Sequence, residues 1–321
     1  MNIQEIPLSE LNPSVFIEEK ASEIASAVGE GIAVNALSGG GDSAVVTMLA
    51  HRALGNRLKS FFIDSGLMRK DEPEQIRRWF AELDITVEII DAAEAFFSAL
   101  MGKTDPEEKR EAITETFYKK VFGRLVKESG AHYLLQGTNY TDVEETVAGI
   151  KRQHNILEQL GIDPEERYGY KVLEPLLQLR KPAIRIIGKA AGLNPNLYLR
   201  PPFPGPALAA RVIGEVTPER VAMVRNATDI LERRLASTTA FQYLAVLHED
   251  RVTGIRDGKR DFGCQIELRC WESEDAITAS PTRLPFETLE LLADEIISGV
   301  PGVVSVTYNI TRKPPSTIEA L

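Results

Sequence analysis

The chain has 321 residues, 43% hydrophobic and 26% charged, a globular mixture long enough for two domains at about 100–200 residues each. Lys and Arg number 37 against 47 Asp and Glu, a net charge of −10 that disfavours bulk nucleic-acid binding because polyphosphate would be repelled. The two cysteines, Cys264 and Cys270, are too few for a disulfide framework or a four-thiolate zinc site, and no apolar run approaches the ~18 residues of a membrane span. With acids where a signal peptide needs basic residues, a cytoplasmic protein with no membrane association is expected.

Helical spacing of apolar residues over 16–29 gives way to GIAVNAL (31–37), which reads as a buried strand. After the glycine turn SGGGDS, AVVTMLAHRAL reads as a helix, LKSFFID as a strand, DEPEQIRRWFAEL as a helix with an acidic first turn and TVEIID as a strand. Two helices, AEAFFSALM and 106–130, then precede HYLLQGT, a fourth strand. Strict alternation of this kind implies right-handed crossovers and a parallel sheet covered on both faces, an α/β domain.

From 139 to 170 the apolar pattern weakens and polar runs such as KRQHN predict an insertion that acts as a lid. VLEPLLQLRKPAIRIIGKAAGL is expected to return to helix, stopped by Gly192 and Pro195. Four prolines and a glycine between Arg200 and Pro206 mark a boundary, giving domains of 1–199 and 200–321. Beyond it the order is a helix (217–236), strands near FQYLAVL, RVTGI and CQIELRC, a helix (285–298) and the strand VVSVTYNI, a smaller α+β domain.

Ser38-Gly39-Gly40-Gly41-Asp42-Ser43 lies between a predicted strand and a predicted helix, where backbone N–H groups and the helix dipole cradle anions. Glycines admit phosphate oxygens close to the backbone, Ser38 and Ser43 offer hydroxyls, and Asp42 offers a carboxylate for Mg²⁺. A tight turn with an N-cap explains the same residues without a ligand. No lysine follows the glycines, so this is no Walker A loop, and G-x-G-x-x-G is not satisfied either.

The S-G-G-x-D-S turn resembles the pyrophosphate loop of the N-type ATP pyrophosphatases, and the rest of the chain is similar to the GMP synthetase branch of that family. FIDSGLMRKDE (62–72), GTNYTDVEET (137–146), KRQHN (151–155), LEPLLQLRKPAIR (173–185), LRPPFPGPALAARVIGEV (199–216) and KPPSTIE (313–319) match its motifs in order. The resemblance implies ATP-dependent conversion of XMP to GMP through an adenylated intermediate, releasing AMP and pyrophosphate. It implies a ligase that uses ATP and Mg²⁺ and pairs as a homodimer through its second domain. Both cysteines lie near the C-terminus, so ammonia is expected free or from a separate glutamine amidotransferase subunit.

By the same resemblance Ser38, Gly39, Gly40, Gly41, Asp42, Ser43, Asp64, Gly137 and Thr138 bind ATP. Asp42 and Asp142 hold the metal, and Asp42, Lys151 and Lys181 serve the chemistry, the lysines by meeting charge on the leaving pyrophosphate. Arg200, Gln242, Arg269, Lys313, Thr317 and Glu319 fall on the nucleotide-acceptor positions. Each has a plainer reading: an acidic first turn for Asp142 and Glu145, a turn cap for Asp64, solvated lysines, and core positions for the two cysteines. The chain departs from the family pattern at Pro201, Ala207, Gln153 and Ala320-Leu321, all in the lid or the acceptor half. Two other readings therefore stand beside the first: a paralogue that adenylates a different acceptor, and a nucleotide-binding regulatory protein without catalysis. Sulfur insertion is disfavoured because no cysteine occurs in the first 263 residues.

Overall fold

A computed structural model describes residues 3–147, 170–200, 203–256, 258–274 and 277–320. They divide into two compact units. The first comprises 1–63, 72–90 and 118–200, and the second 64–71, 91–117 and 201–321. A change of unit thus falls after Arg200, while the second unit also takes two segments from the earlier part of the chain.

The first unit carries a five-stranded sheet in the order β3-β2-β1-β4-β5, with β1 Ala33–Leu37, β2 Leu58–Asp64, β3 Val87–Asp91, β4 Tyr133–Leu135 and β5 Lys171–Leu173. β1 pairs in parallel with β2 and β4, and β4 with β5. The last strand differs from the expectation, which began a helix at Val172. Lys171, Val172 and Leu173 instead complete the ladder beside Tyr133, Leu134 and Leu135, and Glu174-Pro175 ends the segment before a helix can start. Three residues are too few for a periodicity to be read, and pairing with β4 decides the outcome.

Helices α1 (Pro13–Val28), α2 (Gly41–Leu54) and α8 (Lys181–Ala190) pack on one another. α1 starts at an Asn12 cap that accepts the Val15 N–H at 3.2 Å, with Pro13 at the first helical position. It stops at Gly29, whose φ is 57°. β1 is buried on both faces, as a central parallel strand must be: Ala33, Val34 and Leu37 are 0–1% exposed. After β1 the chain runs to β2 and β3 on one side, and it later returns as β4 on the other. The direction of winding therefore reverses between β1 and β4, where open α/β sheets receive ligands beyond the strand ends.

The rest of this part of the chain is α3 (Glu72–Ala81), α4 (Ala93–Leu100), α5 (Pro106–Glu115), a π-helical turn at 116–122, α6 (Gly123–Ser129), α7 (Tyr140–Val147) and the short α9 (Pro195–Tyr198). By their contacts α4 and α5 belong to the second unit.

The second unit is built on β6 (Gln242–Arg256) and β7 (Lys259–Glu272), an antiparallel pair whose register shifts between Leu247 and Arg251. The bulge joins FQYLAVL and RVTGI into one strand where two were expected. β8 (Ser280–Pro281) pairs antiparallel with β7, and β9 (Val303–Tyr308) pairs parallel with it. Helices α10 (Pro218–Arg234) and α11 (Phe286–Gly299) complete the α+β unit. Its core gathers Leu244, Val246, Trp271, Ala279 and Ile318. Lys109 on α5 is 1% exposed and donates to the Val212 carbonyl at 2.9 Å.

Candidate nucleotide site and acceptor cluster

The loop after β1 and the loop after β4 meet at the reversal point of the first sheet. α2 begins at Gly41 with Gly40 as its N-cap and no side-chain cap, unlike α1, α5 and α10, whose caps are Asn12, Asp105 and Thr217. Among the described residues no side chain caps this helix start, and uncapped first-turn N–H groups are where a helix can receive an anion. Around them the loop is closed by its own hydroxyls. Ser43 Oγ donates to the Gly40 carbonyl at 3.0 Å, accepts the Ser38 N–H at 3.2 Å and lies 3.1 Å from Ser38 Oγ.

The loop's shape depends on glycines at two contacts. Gly39 has φ 76°, and a Cβ there would sit 2.6 Å from Glu72 Oε1. Gly137, just beyond β4, lies flush on the start of α2, where a Cβ would come within 3.1 Å of the Asp42 carbonyl carbon and the Ser43 nitrogen. Behind the loop, Asn35 of β1 donates to Thr47 Oγ1 at 2.5 Å, and Thr47 donates to the Ser43 carbonyl at 2.8 Å. Thr138, fully buried, donates to Glu174.

Asp42 is joined to the second loop by Asn139, whose side-chain N–H donates to Asp42 Oδ2 at 3.1 Å. Asn139 also opens α7. Its Oδ1 accepts from the Thr141 and Asp142 N–H groups at 2.9 and 3.2 Å, and its own N–H donates to Asp142 Oδ2 at 3.1 Å. This is a reciprocal capping box, so Asp142 orients Asn139 and Asn139 orients Asp42. The N-x-x-D spacing is the readable signal for Asn139, a residue the family motifs do not single out. Burial pushes the Asp42 carboxyl above the usual carboxylate range. Lys181 opposes the shift, Asp142 adds to it, and the Asn139 hydrogen bond and Arg185 oppose it further.

Among the described residues no group of three or more His, Cys, Asp or Glu could hold a metal on protein ligands alone. Asp42 and Asp142 lie near enough to interact through their charges, and two carboxylates are the kind of oxygen donors that suit Mg²⁺. Lys181 begins α8 and acts on Asp42 through its charge. Of the lid expected over 139–170, Tyr140–Val147 is the helix α7, whereas residues 148–169, Lys151 among them, and the Glu145 side chain lie outside the described residues. Asp64 closes β2. Its carboxylate accepts the Gly66 N–H at 2.9 Å, the turn-capping arrangement, and its carbonyl accepts from Ala92.

The acceptor-type residues fall into two groups. In the second unit Gln242 donates to Glu319 Oε1 at 2.6 Å, and Arg211 grips the same carboxylate with two N–H groups at 3.1 and 3.0 Å. Arg269 donates to the carbonyls of Thr317, Ile318 and Glu319 at 3.1 to 3.4 Å and to Glu267 Oε1 at 2.5 Å. Burial alone would raise the Glu267 carboxyl, but the Asn309 hydrogen bond and the Arg269 guanidinium outweigh it and hold the group below its usual range. Lys313 pairs through its backbone with Ala279, on the segment leading to this cluster. The sequence does not single out Arg211, Glu267 or Asn309, because nothing in spacing reveals that Arg211 meets Glu319 across 108 positions or that Asn309 meets Glu267 across 42. Arg200 stands apart from this cluster. It belongs to the first unit, where its guanidinium pairs with Glu72 and reaches the Gly39 carbonyl at 3.4 Å.

Residues 229–320 match the family model described as GMP synthase C terminal domain. The chain is 44% identical over 304 residues to a subunit of the glutamine-hydrolyzing GMP synthase of Archaeoglobus fulgidus, covering 95% of this chain and 98% of that one. To the protein of the same name from Thermococcus kodakarensis it is 45% identical over 307 residues, with 95% and 98% covered. Among solved structures it is similar to an NH3-dependent NAD synthetase from Campylobacter jejuni, at 17% identity and a TM-score of 0.46 over 71% of this chain and 86% of that chain.

Proposed function

Because this chain belongs to the family of these GMP synthase subunits, we propose that it is a ligase that makes GMP from XMP, ATP and ammonia. The observation that carries the nucleotide half is the link from Asp42 to Asn139 across the reversal point, beside a helix start with no side-chain cap. ATP is read with its phosphates on the 38–43 loop and the first-turn N–H groups of α2. Asp42, steadied by Asn139, and Asp142 would hold Mg²⁺, which when bound draws charge from the phosphate oxygens. Lys181, and Lys151 from the lid, would meet the charge that gathers on the departing pyrophosphate. Asp64, Gly137 and Thr138 remain assigned to the ATP side.

In the first step the C2 oxygen of XMP forms a bond to the α-phosphorus while the bond from that phosphorus to the bridging oxygen breaks, releasing pyrophosphate. In the second, ammonia forms a bond to C2, the C2–O bond breaks with AMP as leaving group, and a proton is lost. Gln242, Arg269, Lys313, Thr317 and Glu319 are read as the XMP side, arginine and lysine for a monophosphate and glutamine for a purine edge. The rate comes from orientation and pre-aimed charge, with no covalent enzyme intermediate. Ammonia would be supplied through glutamine hydrolysis on a separate amidotransferase partner, in keeping with the relatives' names, or taken free.

A cytoplasmic homodimer completes the reading. Among the described residues no helix is long and apolar enough to cross a membrane. Exposed apolar side chains at Ile255, Phe262, Phe286 and Ile310 on the second unit support pairing of two copies. Light scattering that finds only the mass of one chain at micromolar concentration would remove the dimer from the proposal.

Pyrophosphate release from ATP and Mg²⁺ in ammonium buffer, with and without XMP and with mass spectrometry of the products, tests the reaction. XMP-dependent pyrophosphate with matching GMP is expected. ATP binding without any response to XMP would move the proposal to a different acceptor, and absence of ATP binding would leave the regulatory reading.

A further inference from the structure

We infer that Arg200, positioned by Glu72, is a structural key of the phosphate loop that fixes the Gly39–Gly40 peptide plane, and is not an acceptor-binding residue. This inference rests on the nucleotide reading of the loop given above. Four observations within the first unit converge on it. The Glu72 side chain is 1% exposed and pairs with Arg200 at 2.5 Å, and Arg200 is itself 15% exposed. Glu72 opens α3, where the helix dipole favours a carboxylate. Trp79 lies seven residues on, about two turns along the same face, and the Arg200 guanidinium stands 5.3 Å from its ring. α3 thus offers a charged wall and an aromatic wall to one planar cation. The nitrogen that meets Glu72, Nη1, also reaches the Gly39 carbonyl at 3.4 Å.

The consequence follows from peptide geometry. The Gly39 carbonyl and the Gly40 N–H belong to one planar trans unit and point in opposite directions. With the carbonyl turned to Arg200, the Gly40 N–H is turned toward Ser38 Oγ, which it meets at 3.4 Å, beside the Ser38 and Ser43 hydroxyl pair. Glycine at 39, with φ 76°, places little barrier against a flip of this peptide. A flipped peptide would aim a carbonyl oxygen at the anion. Glu72 also closes the space a side chain at 39 would need, since a Cβ there would fall 2.6 Å from its Oε1.

The test measures binding of magnesium pyrophosphate and of AMP to the full chain by calorimetry, with the ATP and XMP KM alongside. Arg200→Gln should weaken pyrophosphate about tenfold, the loss of roughly one well-placed charged-loop hydrogen bond, with AMP unchanged. Arg200→Lys should recover little of this, because a point charge lacks the plane that faces Trp79 and aims one nitrogen at both Glu72 and the Gly39 carbonyl. Glu72→Gln should repeat the pattern. If that buried change does not fold, the two Arg200 variants carry the test alone. Full recovery by Lys would mean that Arg200 supplies charge to the ligand directly, which overturns the inference. So would an unchanged pyrophosphate affinity with a raised XMP KM, the signature of an acceptor residue. A wild-type chain that binds no pyrophosphate and releases none from ATP would instead strike the functional reading, and the inference with it.

Discussion

Replacing Gly39 by Ala should destabilise the first unit far more than an ordinary glycine substitution. The left-handed backbone at 39 costs an L-residue about 1 kcal/mol, and the added methyl would lie 2.6 Å from Glu72 Oε1. That carboxylate cannot swing away without leaving the buried Arg200 pair, so relief must come from the backbone, an overpacking cost of about 2 kcal/mol. The sum is roughly 3 kcal/mol, about a hundredfold in the folding equilibrium. Gly130→Ala is the control, because Gly130 is also left-handed (φ 68°, ψ 17°) but a Cβ there meets nothing within 4 Å, leaving only the backbone cost of about 1 kcal/mol. The chain has two tryptophans, Trp79 in the first unit and Trp271 in the second, so a Trp271→Phe background makes Trp79 fluorescence a reporter for the first unit. Urea titration in that background should place Gly39→Ala about 1 M below Gly130→Ala at equal slope, taking m near 2 kcal/mol/M. Coincident midpoints would show that the Glu72 carboxylate yields freely and that Gly39 is needed for its dihedral angle alone.

Asp42→Asn should abolish pyrophosphate release while holding or raising stability, since it removes a charge whose burial is unfavourable. The wild-type carboxyl is raised in the folded state, so its ionisation opposes folding above that pKa. Stability should therefore rise as pH falls through the folded pKa, and activity should fall over the same window. A variant with the wild-type slope of stability against pH would contradict this. Lys109 presents the converse case: burial first, then Arg220, lowers its ammonium to about 8, so the folded state prefers the neutral amine. Below pH 8 the full penalty applies, and stability should rise between pH 8 and the ordinary lysine value of about 10.4, where only the unfolded chain still binds the proton. Urea midpoints of Lys109→Met should lose that rise. Arg269→Ala would release the carbonyls of 317–319 and raise the XMP KM about tenfold or more with the ATP KM steady; an equal rise in both would refute the division of roles.

Much of the first sheet is legible because its central strands are short, mostly apolar runs and the intervening helices carry periodic patterns with clear stops. Leu58–Asp64 and Val87–Asp91 fall where LKSFFID and TVEIID were read. The fifth strand is not, since Lys171–Leu173 has only the ladder of β4 to define it. Division into two contiguous stretches falls short for a similar reason. Nothing local to 64–71 or 91–117 says that Arg69 will pair with Glu232 at 2.7 Å, or Lys109 with the Val212 carbonyl, yet such long-range contacts place these segments in the second unit.

The candidate site shows the same limit at the scale of single side chains. Glycines and hydroxyls of the 38–43 loop are legible as a turn between β1 and α2 because a local pattern encodes its shape, closed by Ser38 and Ser43. Residues that orient others are not: Asn139 reaches Asp42 across 97 positions, and Glu72 reaches Arg200 across 128. Their types are ordinary in sequence, an asparagine in a turn and a glutamate in an acidic first turn, and each fills that local role as well. The cap at Asn139 holds its carboxamide still, and the helix start at Glu72 favours its charge, so the local role is what makes the distant one possible. Substitutions that keep the cap but remove the reach would separate the two. Asn139→Ser can still cap α7 but is too short to donate to Asp42, so helix and fold should persist while the Asp42 carboxyl rises further and pyrophosphate release falls. Normal release from a well-folded Asn139→Ser chain would mean that Asp42 is oriented by the sheet alone.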